Sequence, residues 1–472
     1  MSPIGVDEWV ARSGERRDDG SGWRKLLARA DARVGWWQRL ALVTLVGLVA
    51  GQLLSNVNVQ TVAFNSLLYA LLALGLNIAV GWAGLLDLGY IAFFGFGAYG
   101  FALLSSNQIG TTGIHLPAYL SVPIVMIAAA FLGLAVGLPS RRLIGDYLAI
   151  VTLFFGEAFV EFTNNVAPSK LGGPNGITGI DPIRAFGWQL TSNFGYYYLM
   201  VIVLVVVMAV LRLLESSRTG RAWRAVREDP LAAASMTIPV NRVKLAAFAA
   251  GAVVAGLAGT LYAAQQASVF PTDFDTPILI LIYAGLILGG AGSIAGACLG
   301  ALVVMVIYDG LLRSPAESGY LFYGLILLTL LAKLRPWRRL AGVLAATVAL
   351  GLAAHAIAKA ISASAVAGGP QSGGWIADAL RDWVIVPAKA QPAGNWGFVV
   401  LVCVLITLVQ VSSRWRTILL PPTLFLASFV WETTLVVQPS VTRQLMIGAI
   451  LIVMMNARPQ GLLGQRRVEA LT

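Results

Sequence analysis

Residues 75–100 read GLNIAVGWAGLLDLGYIAFFGFGAYG, an apolar stretch long enough to cross a membrane and interrupted by seven glycines. Backbone groups in hydrocarbon must be hydrogen-bonded within a helix unless protein surrounds them, so glycines clustered at this depth predict a helix broken inside the protein. The stretch also contains the polar residues Asn77 and Asp87. We therefore predict a discontinuous helix that lines a path, an arrangement typical of transporters.

Comparable apolar runs continue from Leu40 to Asn456. Of the 472 residues, 58% are apolar and 12% are charged, whereas soluble proteins have about 25% charged residues. This composition excludes an ordinary soluble enzyme and predicts an all-α, polytopic helical membrane protein with broken helices. Its runs predict about fourteen transmembrane segments, at residues 39–55, 60–81, 85–104, 117–138, 146–163, 195–214, 244–268, 277–291, 294–312, 319–334, 339–358, 396–411, 416–432 and 442–457.

The basic residues predict the orientation of these segments. The net charge is +11, and most of the 33 lysines and arginines fall on one face when the chain crosses the membrane at every run. That face contains the N-terminal tail, Arg141 and Arg142, residues 212–244 and residues 333–339. Because positive charge collects on the cytoplasmic face, an even number of segments with both termini in the cytoplasm is expected.

Several kinds of chemistry find no support in the sequence. Cys298 and Cys403 lie inside apolar runs, and His115 and His355 are far apart, so neither a disulfide nor a metal site nor a cofactor site is expected. No nucleophile constellation points to an enzyme. No GxxxxGK[ST] phosphate-binding pattern occurs, so any ATP hydrolysis requires a separate subunit.

The longest basic loop, residues 214–244, predicts a short amphipathic helix closed by Pro230 and a second short helix after it. Apolar residues alternate with the arginines in this loop, namely Ala222, Trp223, Val226, Leu231 and Ala232. An exposed apolar stripe rimmed by charge usually marks a partner surface, so we expect a cytoplasmic protein to dock there. The alternative is a solvated loop that only orients the chain.

Two carboxylates are predicted within one membrane segment. Glu157 lies eleven residues into a helix that begins near Asp146, which places it about 16 Å along the axis at mid-membrane. Glu161 follows one turn later on the same face. Ionisable residues at this depth are costly and usually functional, so both are candidates for the translocation path. The alternative role for Glu157 is to tie helices together.

Asn77, Asp87 and Tyr90 in the glycine-rich stretch complete the predicted path. Asn77 has the alternative role of an interhelical hydrogen bond, and Asp87 that of a cap on a half-helix. A second glycine-rich region spans residues 285–300, where Gly292, Gly296 and Gly300 recur at intervals of four. This spacing predicts one helical face that packs closely on a neighbour.

Four stretches resemble ABC-type branched-chain amino acid permease subunits of the LivM kind. Residues 75–100 are the first, and DYLAIVTLFFGE at 146–157 with GGPNGI at 172–177 form the second. The third is GRAWRAVREDPLAA at 220–233 with VKLAAFAAGAVVAGLAGTLYA after it, and the fourth is LILGGAGSIAGACLGA at 286–301. They follow the family's order, and RPQGLLG at 458–464 fits the family's ending.

The resemblance implies an ATP-driven importer in the bacterial cytoplasmic (inner) membrane. Its other parts would be a second permease of the LivH kind, two cytoplasmic ATPase subunits and an extracytoplasmic binding protein for leucine, isoleucine or valine. It also implies that the basic loop contains the element that couples ATPase closure to the spans, with Gly220, Arg221, Trp223, Arg227, Glu228 and Asp229 as candidates. Gly173, Pro174, Asn175 and Gly176 are candidates for docking the binding protein, with an ordinary turn as the alternative.

The chain departs from the family near its end. AKLRPW at 332–337 already resembles the usual ending, yet four further segments precede RPQGLLG. Either the last portion is partly duplicated, or an insertion displaced the terminus. We therefore expect a basic cytoplasmic tail at 1–38, a permease core at 39–336 and an additional four-span region at 337–472. The extracytoplasmic loop 361–395 of that region either touches the binding protein or has no specific role.

Two other functions remain open. The nearer is a permease of the same superfamily for urea or short amides, which shares the glycine-rich region and a similar basic loop. The other is a secondary transporter driven by an ion gradient, which would also be polytopic with broken helices. A channel or a purely structural subunit fits less well, because neither needs a docking loop of this composition.

Overall fold

The structure, a computed structural model, describes residues 36–53, 57–106, 115–140, 146–166, 168–185, 188–334, 337–362, 366–387, 390–410, 413–458 and 460–463. These residues are mainly helical, as expected for apolar segments whose backbone groups cannot bond to water. Most of the predicted tail 1–38 lies outside the described residues, as do Arg141 and Arg142.

The helices divide into two groups along the chain. The first group is α1 (Trp36–Leu53), α2 (Val57–Leu76), α3 (Tyr90–Ser105), α4 (Ala118–Ser140), α5 (Asp146–Asn165), α6 (Pro168–Leu171), α7 (Asn193–Ser216), α8 (Arg218–Glu228), α9 (Pro230–Ser235), α10 (Val240–Gln266), α11 (Thr276–Gly289) and α12 (Ile294–Met305). The second group is α13 (Pro315–Lys333), α14 (Trp337–Ile361), α15 (Gly374–Leu380), α16 (Ala390–Gln410), α17 (Ser413–Val430) and α18 (Pro439–Ala457).

The predicted polytopic helical fold is confirmed. Among the described residues, nine helices are long and apolar enough to cross a membrane, and four shorter apolar helices accompany them. Together with α1, they correspond one to one to the fourteen predicted segments. The basic loop 214–244 lies at one end of this bundle, which we call the cytoplasmic end, and the opposite end is called the outer end.

Short strands cover the outer end. Strand β1 (Ile177–Thr178) pairs antiparallel with β4 (Ser268–Val269), which places Ile177 opposite Val269. Strands β2 (Arg184–Ala185) and β3 (Trp188–Gln189) form a small hairpin. The pair β1–β4 connects the segment before α7 to the segment after α10 and so holds these two outer loops together.

Helix α10 lies at the centre of the core and packs against α2, α3 and α4. Its small residues allow this packing. A Cβ atom on Gly97 would overlap the carbonyl oxygen of Gly256, and one on Gly259 would overlap that of Phe94. The close approach of α3 and α10 therefore depends on glycines, as is common where membrane helices pack without a hydrophobic driving force.

Both glycine-rich regions form helix breaks. Helix α2 continues as a π-helical turn, Asn77–Trp82, and the chain is irregular until α3 begins, which is the predicted discontinuous helix. In the second region, Gly296 and Gly300 pack closely against α11, as predicted. The prediction for Gly292 was wrong. This residue lies in the turn between α11 and α12 with a φ of +97°, a conformation that favours glycine.

The second group of helices leaves the core and returns to it. Helices α13, α14, α16 and α17 pack mainly on one another, and α17 ends in a π-helical turn, Trp431–Leu435. The buried Glu432 carboxylate of this turn accepts hydrogen bonds from the backbone N–H groups of Gln371 and Ser372 at 2.8 and 3.1 Å.

Helix α18, by contrast, packs on the core. Ile447 lies in one apolar cluster with Leu281, Leu288 and Val304 of α11 and α12. At its outer end, Arg443 Nε donates to the carbonyl oxygen of Leu312 at 3.1 Å. The chain therefore departs from the core near Leu312 and rejoins it at the start of α18.

Candidate functional site

The basic loop folds as two short helices at the cytoplasmic end, as predicted. Ser217 caps α8 by accepting a hydrogen bond from the backbone N–H of Gly220 at 3.2 Å. Asp229 caps α9 by accepting from the N–H groups of Leu231 and Ala232 at 2.8 and 3.1 Å, and Pro230 fills the first helical position. Caps of this kind satisfy the free N–H groups at a helix start, so both boundaries are encoded locally.

The apolar side chains of α8 face the protein. Trp223 is 1% exposed and Val226 is 2% exposed. Trp223 Nε1 donates to the carbonyl oxygen of Val243 at 2.8 Å. The expected exposed stripe was therefore wrong for these two residues, because they anchor α8 to the permease. Leu231 and Met236 remain on the surface, with exposures of 83% and 75%.

The arginines of α8 contact nearby helix ends. Arg221 Nη1 donates to the carbonyl oxygen of Ser216 at 2.8 Å, and Arg224 Nη2 donates to that of Glu215 at 3.0 Å. Cationic groups at a helix C-terminus satisfy its free carbonyls and oppose its dipole. Arg227 Nη1 donates instead to the carbonyl oxygen of Gly81, at the end of the broken helix α2.

The turn between α11 and α12 meets the same broken end. The backbone N–H of Gly292 donates to Asn77 Oδ1 at 2.7 Å, and Trp82 Nε1 donates to the carbonyl oxygen of Gly292 at 3.1 Å. Asn77 thus has the interhelical hydrogen bond considered for it. We call this group the coupling junction, after the role proposed for it below; its members are Asn77, Gly81, Trp82, Trp223, Arg227 and Gly292.

Asp87 lies in the gap between α2 and α3, and Tyr90 is the first residue of α3. Asp87 is 1% exposed, and its Oδ1 accepts a hydrogen bond from the N–H of Gly89 at 3.0 Å, just before α3 begins. Its carbonyl oxygen accepts from the Tyr283 hydroxyl at 2.6 Å. Tyr90 is fully buried, close to Gly75. Both predicted path residues are thus enclosed by protein in this conformation.

Glu157 and Glu161 lie elsewhere, on an exposed face of α5. Thr276 Oγ1, at the start of α11, donates to Glu157 Oε1. Asn165 Nδ2 donates to Glu161 Oε1. The five predicted path residues therefore form two groups in the described part of the chain, with Asn77, Asp87 and Tyr90 at the helix break and Glu157 and Glu161 on α5.

The large side chains beside these carboxylates share their face of α5. Tyr147, Phe154 and Phe162 are 72%, 70% and 51% exposed. Thr152, on the other side of the helix, is buried and accepts a hydrogen bond from the N–H of Leu88 at 3.0 Å. Helix α5 therefore packs through one face and leaves the face with Glu157 and Glu161 exposed, with Thr276 in contact with Glu157 at its edge.

The predicted docking loop forms a tight structure at the outer end. Residues Gly173–Asn175 make a 3₁₀ turn, and the N–H of Gly176 donates to the carbonyl oxygen of Gly173 at 3.0 Å. Gly173 and Gly176 are buried with positive φ values, whereas Pro174 and Asn175 are exposed. The loop thus presents a Pro-Asn tip on a rigid base.

Sequence reasoning missed several residues whose hydrogen-bond partners are far away along the sequence. Asn65 Nδ2 of α2 donates to Asp309 Oδ2, in the π-helical turn Val306–Leu311 after α12, at 2.9 Å. Tyr283 and Trp82 were not singled out either. No local pattern marks such pairs, because each partner is an ordinary polar or aromatic residue in an apolar run.

One cavity lies outside these sites, within the second group of helices. It has a volume of about 430 Å³ and is lined by apolar side chains of α13, α14 and α17. The Thr347 and Ser428 hydroxyls in its wall donate to carbonyls of their own helices. Its surface suits hydrocarbon and not a charged amino acid. Among the described residues, no group of three or more His, Cys, Asp or Glu could hold a metal ion.

Comparisons with known proteins show similarity to transport permeases. The family model described as branched-chain amino acid transport system / permease component matches residues 58–331. The high-affinity branched-chain amino acid transport system permease protein LivM of Escherichia coli (strain K12) is 37% identical over 313 residues, covering 61% of this chain and 71% of the relative. The Salmonella typhimurium LivM is 37% identical over 288 residues, covering 56% of this chain and 65% of the relative.

A second kind of permease is also similar to the chain. The Escherichia coli (strain K12) LivH protein is 27% identical over 249 residues, covering 50% of this chain and 79% of that relative. The comparison with solved structures gave no match.

Proposed function

The chain belongs to the family of branched-chain amino acid transport permease components, and we propose that it is the transmembrane subunit of an ATP-driven importer for leucine, isoleucine and valine. The observation that carries this proposal is the coupling junction. A capped cytoplasmic helix inserts Trp223 and Arg227 against the end of a broken membrane helix. Through these contacts, a movement of the cytoplasmic helix would be transmitted to the membrane-spanning helices.

The energy source of the importer is expected to lie in separate subunits. Two ATPases would bind at the cytoplasmic end, where Arg221, Glu228, Asp229, Leu231 and Met236 are exposed around α8 and α9. Their closure on ATP would displace α8. Because Trp223 stacks on Trp82 and Arg227 bonds Gly81, that displacement reaches α2 and then the Gly292 turn. A two-state permease biased in this way alternates between inward and outward openings.

The exposed face of α5 is the proposed wall of the path. Glu157 and Glu161 sit on a candidate membrane span, Tyr147–Asn165. Carboxylates within a span avoid lipid and face protein or a water-filled cavity. This face would therefore meet the path and the second permease, of the LivH kind. A carboxylate there attracts the ammonium group of a zwitterionic amino acid.

An extracytoplasmic binding protein would deliver the amino acid to the outer end. The exposed tip at Pro174 and Asn175 is its proposed contact, because its base is fixed by buried glycines and by strand pairing to β4. The chain would therefore lie in the cytoplasmic membrane of a bacterium, with its outer end facing the binding protein.

We propose that the chain between Leu312 and Pro439 is an insertion in the permease core, although the family match runs to residue 331 and includes most of α13. Arg443 and the cluster around Ile447 return α18 to the core, as described above. Exposed tryptophans stand at both ends of the inserted helices, Trp337 and Trp415 at the cytoplasmic starts and Trp375 and Trp396 at the outer end. Trp is enriched at both membrane interfaces, which supports stable spans.

The test is uptake into proteoliposomes that contain the chain, a LivH-type permease and both ATPases, with the binding protein outside. We expect radiolabelled leucine to accumulate with ATP and not with a non-hydrolysable analogue. Accumulation should persist when ionophores collapse the ion gradients, and excess isoleucine should compete while urea and acetamide should not. Uptake by the chain alone on an ion gradient, or competition by urea, would contradict the proposal.

A further inference from the structure

The last described residues of the chain complete a helix of the core. Helix α11 ends at Gly289, and the final carbonyls of a helix have no partner within it. Here the backbone N–H of Leu462 donates to the carbonyl oxygen of Leu288, and that of Leu463 donates to the carbonyl oxygen of Gly289, both at 2.9 Å. Residues 461–463 thus act as a cap supplied from the far end of the sequence.

The fit of this segment is tight. Gly461 is buried with a φ of +77°, which favours glycine. A Cβ atom there would lie 2.5 Å from the N atom of Gly290 and 2.8 Å from the carbonyl oxygen of Ile287. Any larger residue at position 461 would therefore displace the segment from the end of α11.

The capped helix end leads directly into the coupling junction. Gly290, against which Gly461 packs, is two residues before Gly292 in the same turn. Gly292 bonds Asn77 and Trp82, and a Cβ atom on it would lie 2.9 Å from Arg227 Nη1. One short turn is therefore contacted by both the coupling helix and the C-terminal segment.

We propose that residues 461–463 position this turn so that a displacement of α8 moves α11 and α12 together with α2. The proposal rests on the ATP-driven function proposed above. With the segment in place, the carbonyls of Leu288 and Gly289 are bonded and the turn resists the push from Arg227. Without it, the glycines with positive φ at 290 and 292 let the turn yield, and ATP hydrolysis continues without moving the transport helices.

The anchoring of α18 supports this role. Ile447 of α18 lies in one cluster with Leu281, Ala284 and Leu288 of α11. The helix that carries the segment is thus fixed to the helix whose end it caps. The packing of α18 on α11 therefore keeps residues 461–463 close to the turn, in addition to the two hydrogen bonds.

A proline at position 462 tests the segment with a matched control. Leu462→Pro removes the N–H that donates to Leu288 and leaves the side chain apolar, whereas Leu462→Ala keeps this N–H. In the reconstituted importer, we expect the ratio of leucine transported to ATP hydrolysed to fall about fivefold or more in the proline variant. The alanine variant should keep the wild-type ratio.

Gly461→Val provides the second variant and Gly448→Val its control, because a Cβ atom at position 448 of α18 meets nothing within 4 Å. Amounts of assembled complex and thermal unfolding are measured for all four variants. An unchanged ratio in both Leu462→Pro and Gly461→Val would overturn the proposal. So would loss of assembly in both of them with intact controls, which would assign the segment to folding alone. If the wild type shows no ATP-dependent uptake, the proposed function itself fails.

Discussion

Trp82 and Trp223 stack with their ring centroids 6.0 Å apart and their planes 23° from parallel. Trp82 ends the broken helix α2, and Trp223 lies in α8, the first helix of the basic loop. Each indole N–H is held by a backbone carbonyl, of Gly292 and Val243 respectively. Both rings are thereby fixed in orientation, so the stack joins the loop to the membrane helices as one packed unit.

Reversal of charge at Arg227 should break this connection. Arg227→Glu removes the hydrogen bond to the Gly81 carbonyl and places a carboxylate beside that oxygen. We expect ATP-driven leucine uptake to fall at least about tenfold, which corresponds to about 1.4 kcal/mol of lost coupling. ATP hydrolysis by the assembled complex should continue.

Arg218→Glu is the control for Arg227→Glu, because Arg218 lies on the exposed face at the start of α8. Its uptake should stay near that of the wild type. Equal losses in the two variants would show that the charge of the loop matters and that the bond to Gly81 does not.

The acidic pair after α8 allows docking and capping to be separated. Asp229 caps α9, so Asp229→Ala removes both a charge and a cap, and the lost cap costs about 1 kcal/mol of local stability. Asp229→Ser keeps a capping oxygen without the charge. If the exposed carboxylates of Glu228 and Asp229 contact the ATPases, the double variant Glu228→Ala with Asp229→Ser should bind them about fivefold more weakly, or by about 1 kcal/mol.

ATPase binding is measured by titration of the ATPases into the purified permease pair. Glu215→Ala serves as control, since Glu215 pairs with Arg212 before α8 begins. Unchanged binding of the double variant, together with full uptake, would remove both carboxylates from the proposed docking surface.

Loss of the charge on α5 tests the proposed path. Glu157→Gln keeps a group that can accept the hydrogen bond from Thr276 but no longer attracts an ammonium group. We expect leucine uptake to fall about fivefold or more with normal assembly. Thr276→Ala, which removes the bond and keeps the charge, should transport at nearly the wild-type rate. A Glu157→Gln protein that assembles and transports at full rate would show that the carboxylate only ties helices together.

Much of the fold could be predicted from the sequence because the length and hydropathy of an apolar run identify a membrane helix. The break at Asn77–Trp82 was also predictable, since a cluster of glycines that also contains polar residues at membrane depth indicates a helix broken inside the protein. The two helices of the loop followed from Pro230 and the charge pattern. These are local properties of the chain.

The contacts of the site could not be predicted in the same way. The sequence did not reveal that Trp223 faces inward, because an amphipathic helix has the same pattern whether its apolar face meets a partner or its own protein. The bond between Gly292 and Asn77 joins residues 215 positions apart, and the cap of α11 comes from Leu462. Only the packed structure shows which distant segments meet.

Removal of the inserted helices is the broadest test of the architecture. The chain leaves the core near Leu312 and rejoins it at α18, and the segments on either side meet where Arg443 bonds the Leu312 carbonyl. A chain in which a short Gly-Ser linker replaces residues 314–437 should therefore still insert, pair with the LivH-type permease and bind the ATPases. Because the coupling junction and residues 461–463 lie outside the deleted part, leucine uptake per ATP should stay within about twofold of the wild type.

The matched comparison is a second deletion, which removes all residues from 337 onwards and therefore α18 as well. That variant loses the cluster around Ile447 and the segment that caps α11, so we expect it to assemble poorly or to lose coupling. If the 337 deletion transports normally while the 314–437 deletion does not, then α13 is the last helix of the permease core, and the additional region begins at 337.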